Sequence, residues 1–143
     1  MTDRSFTTTL VVDLSAKQVY DAINDVRGWW HGEIDGPTDH LGDVFTYRHG
    51  DLHCSTQQVI ELTPGTRIAW RVTEANLSFA ADPAEWVGTE ITFDLSRVDD
   101  STEVRFTHRG LRPELGCFEA CSGGWQHYVD GGLASWLATR SAA

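Results

Sequence analysis

The stretch Ser122–Arg140, SGGWQHYVDGGLASWLATR, sets the architecture of the chain. Trp125, Tyr128, Val129, Gly132, Leu133, Trp136 and Leu137 fall on one stripe at helical period, while Gln126, Asp130 and Arg140 lie off it. A helix of about 20 residues is about 30 Å long at 1.5 Å per residue, enough to cross a small domain. Gly131-Gly132 interrupts the stripe, and a glycine inside a helix costs about 1 kcal/mol relative to alanine. Either the helix kinks or packs closely on a neighbour there, or Gly132 leaves room for something else beside it.

Working outward, the preceding sequence reads mainly as strands. Ser5–Asp13 (SFTTTLVVD) is rich in Thr and Val and forms a first strand. Ser15 is placed as an N-cap, and Val19, Tyr20, Ile23 and Val26 give a short helix ending at Gly28-Trp29-Trp30. A breaker-rich loop follows, with Gly32, Gly36, Pro37 and Gly42. Period-two strands are expected over Asp43–His49, Leu52–Leu62 and Arg67–Glu74, with turns at Gly50-Asp51 and Pro64-Gly65 and a loop over Ala80–Trp86. Thr89–Val98 and Thr102–Arg109 flank an Asp99-Asp100 hairpin turn. Pro113 is expected to open a short helical lead-in to the long helix.

Consecutive strands followed by a helix define an α+β class rather than alternating α/β. The expected architecture is a bent antiparallel β-sheet of about six strands wrapped around a long C-terminal helix. With no repeat or linker, residues 1–143 are expected to form a single domain.

The formal net charge is −10, and no basic run stands out, which argues against nucleic-acid binding. No apolar run approaches the ~20 residues needed to span a bilayer, so membrane insertion is not expected. The first residues lack a signal-peptide layout, and three cysteines (Cys54, Cys117, Cys121) have no framework spacing. These features point to a cytoplasmic location. His49, His53 and Cys54 lie across one turn, and Cys117, Cys121 and His127 lie near the helix start. With no CxxC, HxH or HExxH, they read as ordinary thiols and imidazoles, and neither a metal nor a cofactor is expected.

The order of elements resembles the helix-grip fold of the START / Bet v 1-like (SRPBCC) superfamily. Within it, the chain resembles proteins related to the C-terminal domain of the Hsp90 ATPase activator Aha1. Trp29-Trp30, ELTPGTRIAWRV (Glu61–Val72), Thr107-His108-Arg109-Gly110 and Gly124-Trp125 carry the likeness. The resemblance implies a cavity between sheet and helix that is often used for small apolar molecules. It also raises a chaperone-accessory role, but no counterpart of the co-chaperone's separate N-terminal domain is seen, so a chaperone partner is not expected. A homodimer is compatible with the sequence.

On that basis the candidate ligand-binding residues are Trp30 after the first helix, Phe45, Tyr47, Gln58 and Trp70 on the middle strands, and Phe93, Phe106 and His108 on the last hairpin. Trp125, Tyr128, Gly132 and Trp136 join them from the helix. Phasing puts Ile91, Phe93 and Leu95 on one face, and Val104, Phe106 and His108 on the facing row, with Glu103, Arg105, Thr107 and Arg109 outward. Phe45, Tyr47 and His49 alternate, as do Cys54, Thr56, Gln58, Ile60 and Leu62; the latter row reads as a polar cavity wall or an exposed face. Trp29, Trp30 and Trp86 are loop-side aromatics that either mark a binding surface or plug the end of the sheet. His31, Glu33, Asp35 and His40 read as a solvated loop.

His108 is either a polar group of the cavity or a core histidine bonded to its surroundings. The expected function is binding of a small, largely apolar, aromatic or lipid-like molecule. The alternative is polyketide cyclase- or aromatase-like catalysis, with His108 as acid/base and Tyr47 assisting.

Overall fold

The capping box at Ser15 starts the first helix. Ser15 Oγ accepts the Gln18 backbone N–H at 3.1 Å, and Gln18 Oε1 accepts the Ser15 N–H at 3.0 Å. The computed structural model describes residues 6–30, 32–49, 53–77, 86–110 and 125–141. Among these, the elements are β1 (Phe6–Val12), α1 (Ala16–Asn24), a 3₁₀ turn (Val26–Gly28), β2 (Glu33–Asp35), β3 (Val44–His49), β4 (His53–Thr63), β5 (Arg67–Leu77), β6 (Glu90–Val98) and β7 (Ser101–Arg109). The C-terminal helix follows, wound as a π-helix over Gln126–Leu133 and as an α-helix, α2, over Ala134–Ser141. The expected turn at Gly50-Asp51, the loop residues 80–85 and the Pro113 lead-in lie outside the described residues.

The strands form one antiparallel sheet in the order β1-β7-β6-β5-β4-β3-β2. Seven strands stand where about six were expected. The additional one is β2, three residues of the glycine-rich loop, paired as Glu33↔Arg48, Ile34↔Tyr47 and Asp35↔Thr46. A strand this short carries no periodic signal, and only its pairing with β3 reveals it.

The last hairpin follows its phasing. Ile91↔His108, Phe93↔Phe106 and Leu95↔Val104 are paired and buried. Asp99 takes φ +55° in the two-residue turn, a left-handed conformation that aspartate tolerates.

On β4 the expected inward row is reversed over most of its length. Ser55, Gln57 and Val59 are buried, and they pair with Ala75, Val72 and Trp70. Gln58 pairs with exposed Arg71 and Val44 on the outer face. A register shift between Val59 and Glu61 then returns Leu62 to the inner face opposite Ile68. Strict alternation read backward from Leu62 crosses this bulge and selects the wrong face.

Side chains from three places complete the end of α1. The last carbonyls of a helix lack intrahelical partners. Here Trp136 Nε1 donates to the Ala22 carbonyl at 3.1 Å, Trp29 Nε1 to the Ile23 carbonyl at 3.0 Å, and Thr38 Oγ1 to the Asn24 carbonyl at 2.8 Å. The C-terminal helix and the Trp29-Trp30 segment are thereby fastened to α1 by polar bonds as well as by packing.

The C-terminal helix buries Trp125, Val129, Leu133 and Leu137, each four residues apart. Four residues overshoot a 3.6-residue turn by about 40°, so this column would wind off the sheet in an ideal α-helix. The wider π turns under Trp125–Leu133 reduce the overshoot and keep the column facing the core. Gly132 answers the question raised by the sequence: a Cβ there would lie 2.7 Å from the Trp29 carbonyl oxygen, so its side faces backbone rather than empty space. Beside Gly131 there is nothing within 4 Å.

The two glycines therefore predict opposite responses. Gly131→Ala should raise stability by up to ~1 kcal/mol through reduced backbone freedom in the unfolded chain. Gly132→Ala should cost about 1–3 kcal/mol by pushing the helix off Trp29. Urea unfolding of the two variants checks this; stabilisation by Gly132→Ala would show that the close approach is not constraining.

Candidate functional site

Aromatic side chains converge where β4 and β6 begin and where β5 and β7 end, under the start of the C-terminal helix. Trp30 stacks on Tyr47 at 3.9 Å between ring centres, and lies parallel to Trp70 at 6.2 Å. Trp29 also lies parallel to Trp70, and Phe45 and Phe93 meet Trp70 edge-on. Trp125 lies over Trp30 and Phe106 at 4.9 and 4.8 Å and stacks on Trp86 at 5.8 Å. Trp29, Trp30 and Trp86 are each at most 2 % exposed, so these loop-side aromatics are interior groups. The strands supply one wall because their inward rows are aromatic, and Trp125 closes over it because it leads the buried column of the helix.

A linear chain of hydrogen bonds runs through this cluster. Trp125 Nε1 donates to His108 Nδ1 at 2.9 Å. His108 Nε2 lies 2.8 Å from Thr89 Oγ1, and the Thr89 hydroxyl donates its one proton to the Trp86 carbonyl at 2.6 Å. Thr89 must therefore accept from His108, which fixes the proton on Nε2 and leaves Nδ1 as the acceptor. His108 is fully buried; burial, and secondarily its proximity to His53, push its pKa down to about 3. It is a neutral imidazole with both ring nitrogens engaged.

A second polar group lies on β4. The Ser55 hydroxyl accepts from Gln57 Nε2 and pairs with His53 Nε2 at 2.8 Å. His53 meets Trp86, Tyr47 and Trp30 edge-on. Its pKa is pushed down to about 4, first by burial and then by His49. The Tyr47 hydroxyl is bonded to Tyr128 at the helix, and burial, then that bond, raises its pKa. Among the described residues, Gln57 Oε1, Trp70 Nε1 and Trp86 Nε1 are buried with no hydrogen-bond partner.

Of the residues singled out from the sequence, Trp30, Phe45, Tyr47, Trp70, Phe93, Phe106, His108 and Trp125 come together here, with Tyr128 at the rim. Three do not. Gln58 is on the outer face of the sheet. Gly132 and Trp136 border an open cleft of about 410 Å³ with Gly28, His127 and Ser135, which meets the cluster only at Tyr128. Sequence reasoning missed His53, Ser55 and Gln57. Extending the alternation back from Val59, opposite the plainly apolar Trp70, would have placed Ser55 and Gln57 inside.

Among the described residues, the side chains grouped closely enough to hold a metal are Asp39 and His40, both exposed, and the half-buried Asp43. His40 Nδ1 lies 2.9 Å from Asp39 and 3.7 Å from Asp43. Cys117 and Cys121 lie outside the described residues.

The depressed His108 pKa has a stability consequence of definite sign. Above about pH 6.5 both folded and unfolded states hold the imidazole neutral, and its full contribution is present. Below that, the unfolded chain takes up a proton that the folded chain refuses until about pH 3, so stability falls by about 1.4 kcal/mol per pH unit for this group. His108→Gln should cost about 1–3 kcal/mol at pH 8 by leaving the Trp125 indole without its acceptor. Denaturant melts of both proteins should then show the gap narrowing between pH 6.5 and 5. A gap independent of pH would mean that His108 titrates normally in the fold.

Comparison with known proteins places this architecture. A family model described as Activator of Hsp90 ATPase homolog 1-like protein matches residues 13–138. No curated protein matches the chain. The fold is similar to the Aha1 dimer from Colwellia psychrerythraea, with TM-score 0.71 and 23 % identity over 87 % of this chain and 90 % of that one. It is also similar to MLL2253 from Mesorhizobium loti, with TM-score 0.72 and 18 % identity over 94 % of this chain and 98 % of that one. DynU16, from the dynemicin biosynthetic locus, gives TM-score 0.71 and 20 % identity over 96 % of this chain and 48 % of that larger one. At such identities these structures share a fold, the helix-grip arrangement of sheet and C-terminal helix. The family match covers nearly the whole chain, and the protein belongs to the Activator of Hsp90 ATPase homolog 1-like family.

Proposed function

We propose that the protein binds a small, largely apolar, aromatic molecule carrying a hydroxyl or carbonyl group, held among the rings of Trp30, Trp70, Trp86 and Trp125. The observation that carries this reading is a set of buried polar atoms without partners among the described residues: two indole N–H donors of the aromatic cluster, on Trp70 and Trp86, and one acceptor, Gln57 Oε1, on the neighbouring strand β4. Each such group costs about 1–3 kcal/mol when left unpaired. A planar ring stacks favourably on indoles, and a ring oxygen can accept from an indole N–H while its hydroxyl donates to Gln57. DynU16, of the same fold, comes from a biosynthetic locus, a setting in keeping with a small-molecule ligand.

Acid–base catalysis by His108 draws less support. Its two ring nitrogens already serve Trp125 and Thr89, and its proton affinity is far below neutrality. Tyr47, with a raised pKa and a bond to Tyr128, is better suited to holding a ligand than to ionising.

Titration with 2-naphthol, followed by the indole N–H signals of ¹⁵N-labelled protein, tests the proposal. Saturable shifts of the Trp70 and Trp86 indoles are expected. Gln57→Leu removes the unpaired buried Oε1 but also the Nε2–Ser55 bond, so stability should change by no more than about 1 kcal/mol while naphthol binding weakens. Equal binding by Gln57→Leu, or shifts confined to surface residues, would place any ligand elsewhere.

A further inference from the structure

The rings proposed to hold a ligand are sealed. Trp30, Trp70, Trp86 and Trp125 are each at most 2 % exposed, so an aromatic molecule reaches them only if a side chain moves. The open cleft of about 410 Å³ against the C-terminal helix comes nearest to them at Tyr128. Tyr128 lines the cleft, is half-buried, and meets Tyr47 edge-on at 6.4 Å. The two phenols are hydrogen-bonded to each other, and Tyr47 stacks on Trp30 at 3.9 Å. Gly28, which also lines the cleft, leads directly into Trp29-Trp30.

The helix around Tyr128 is anchored, but its side chain is held lightly. Trp125 before it is bonded to His108, and Trp136 after it is bonded to the Ala22 carbonyl. Tyr128 itself is held to Tyr47 by a bond between neutral hydroxyls, weaker than a charge-assisted pair. A helical side chain leans over the turn that precedes it, so a side chain three places on would cover Tyr128. That residue is Gly131, and a Cβ there would meet nothing within 4 Å. His127, whose ring meets Tyr128 edge-on at 5.0 Å, is exposed and free to follow. The segment is π-wound, a helix geometry that recurs at functional sites.

We infer that Tyr128 is a gate between the cleft and the aromatic cluster. Turning its ring into the cleft breaks the bond to Tyr47 and uncovers the Tyr47–Trp30 stack, and the space beside Gly131 receives the displaced ring. A small aromatic molecule enters by this route, and the phenol closes behind it. The ligand rests on the function proposed above; the gate does not, because water reaching the indoles uses the same opening.

Hydrogen exchange of the Trp70 and Trp86 indole N–H groups, followed by NMR on the full chain, tests the gate without a ligand. Neither group has an acceptor among the described residues, so solvent access rather than bond breaking limits their exchange. Tyr128→Phe should speed exchange of both about fivefold, the factor for losing one ordinary hydrogen bond. Gly131→Leu, which fills the space the ring turns into, should slow it. Backbone amides of the β6–β7 hairpin should exchange as in the wild type and report the intact fold. Stopped-flow mixing with 2-naphthol gives a second readout: faster association with Tyr128→Phe, and association and dissociation slowed together at an unchanged Kd with Gly131→Leu. Indole exchange altered as expected with no naphthol binding would retire the ligand and keep the gate. Indole exchange unchanged in both variants, or naphthol binding at rates that neither variant alters, would overturn the gate.

Discussion

The bond from the Trp125 indole to a buried, neutral His108 holds the start of the C-terminal helix to the last strand. Through Thr89 it continues to the Trp86 carbonyl, so one chain of three hydrogen bonds ties the helix, β7 and the segment before β6 together. Its direction depends on Thr89 having a single proton to give. That constraint selects the histidine tautomer, and the tautomer in turn provides the only kind of nitrogen an indole can donate to. A protonated imidazole would present an N–H to the Trp125 N–H and break the chain.

At its other end the helix is held by a different use of the same side chain. The Trp136 indole takes the Ala22 carbonyl, beside the Ile23 carbonyl taken by Trp29. Indoles thus serve twice, as apolar mass in the core and as single donors to acceptors that would otherwise be buried unpaired. Among the described residues, the buried Nε1 atoms of Trp70 and Trp86 have no acceptor, and the buried Oε1 of Gln57, on β4, has no donor. A core built only for stability would contain apolar groups there, since an unpaired buried polar atom weakens the fold. These three atoms are the ground for proposing a bound ligand.

The sequence made the architecture plain because its signals were long. A helical stripe from Trp125 to Leu137 and a strongly alternating hairpin over β6 and β7 leave few folds that bury both. The residues of the candidate site were harder. Phe93, Phe106 and His108 could be phased correctly, since nothing interrupts their strands. Alternation anchored on Leu62 phases Ser55 and Gln57 outward, because it crosses the irregularity at Val59–Glu61 that exchanges the faces of β4; anchored on Val59 it places both inside. The π winding was equally hidden: its column of residues four apart fits the nominal helical period closely enough to pass for an α-helix. Gly132 showed the limit of composition, since a glycine admits both a void and a close contact, and only the position of the Trp29 carbonyl decides between them.

The most direct measurement is of the His108 ring itself, by long-range ¹H–¹⁵N correlation on uniformly labelled protein from pH 8 to pH 5. The clasp requires an unprotonated Nδ1 and a protonated Nε2 throughout that range, with no titration, because the folded pKa lies near 3. A proton on Nδ1, or a titration centred near pH 6.5, would contradict it, since either state removes the acceptor on which Trp125 depends.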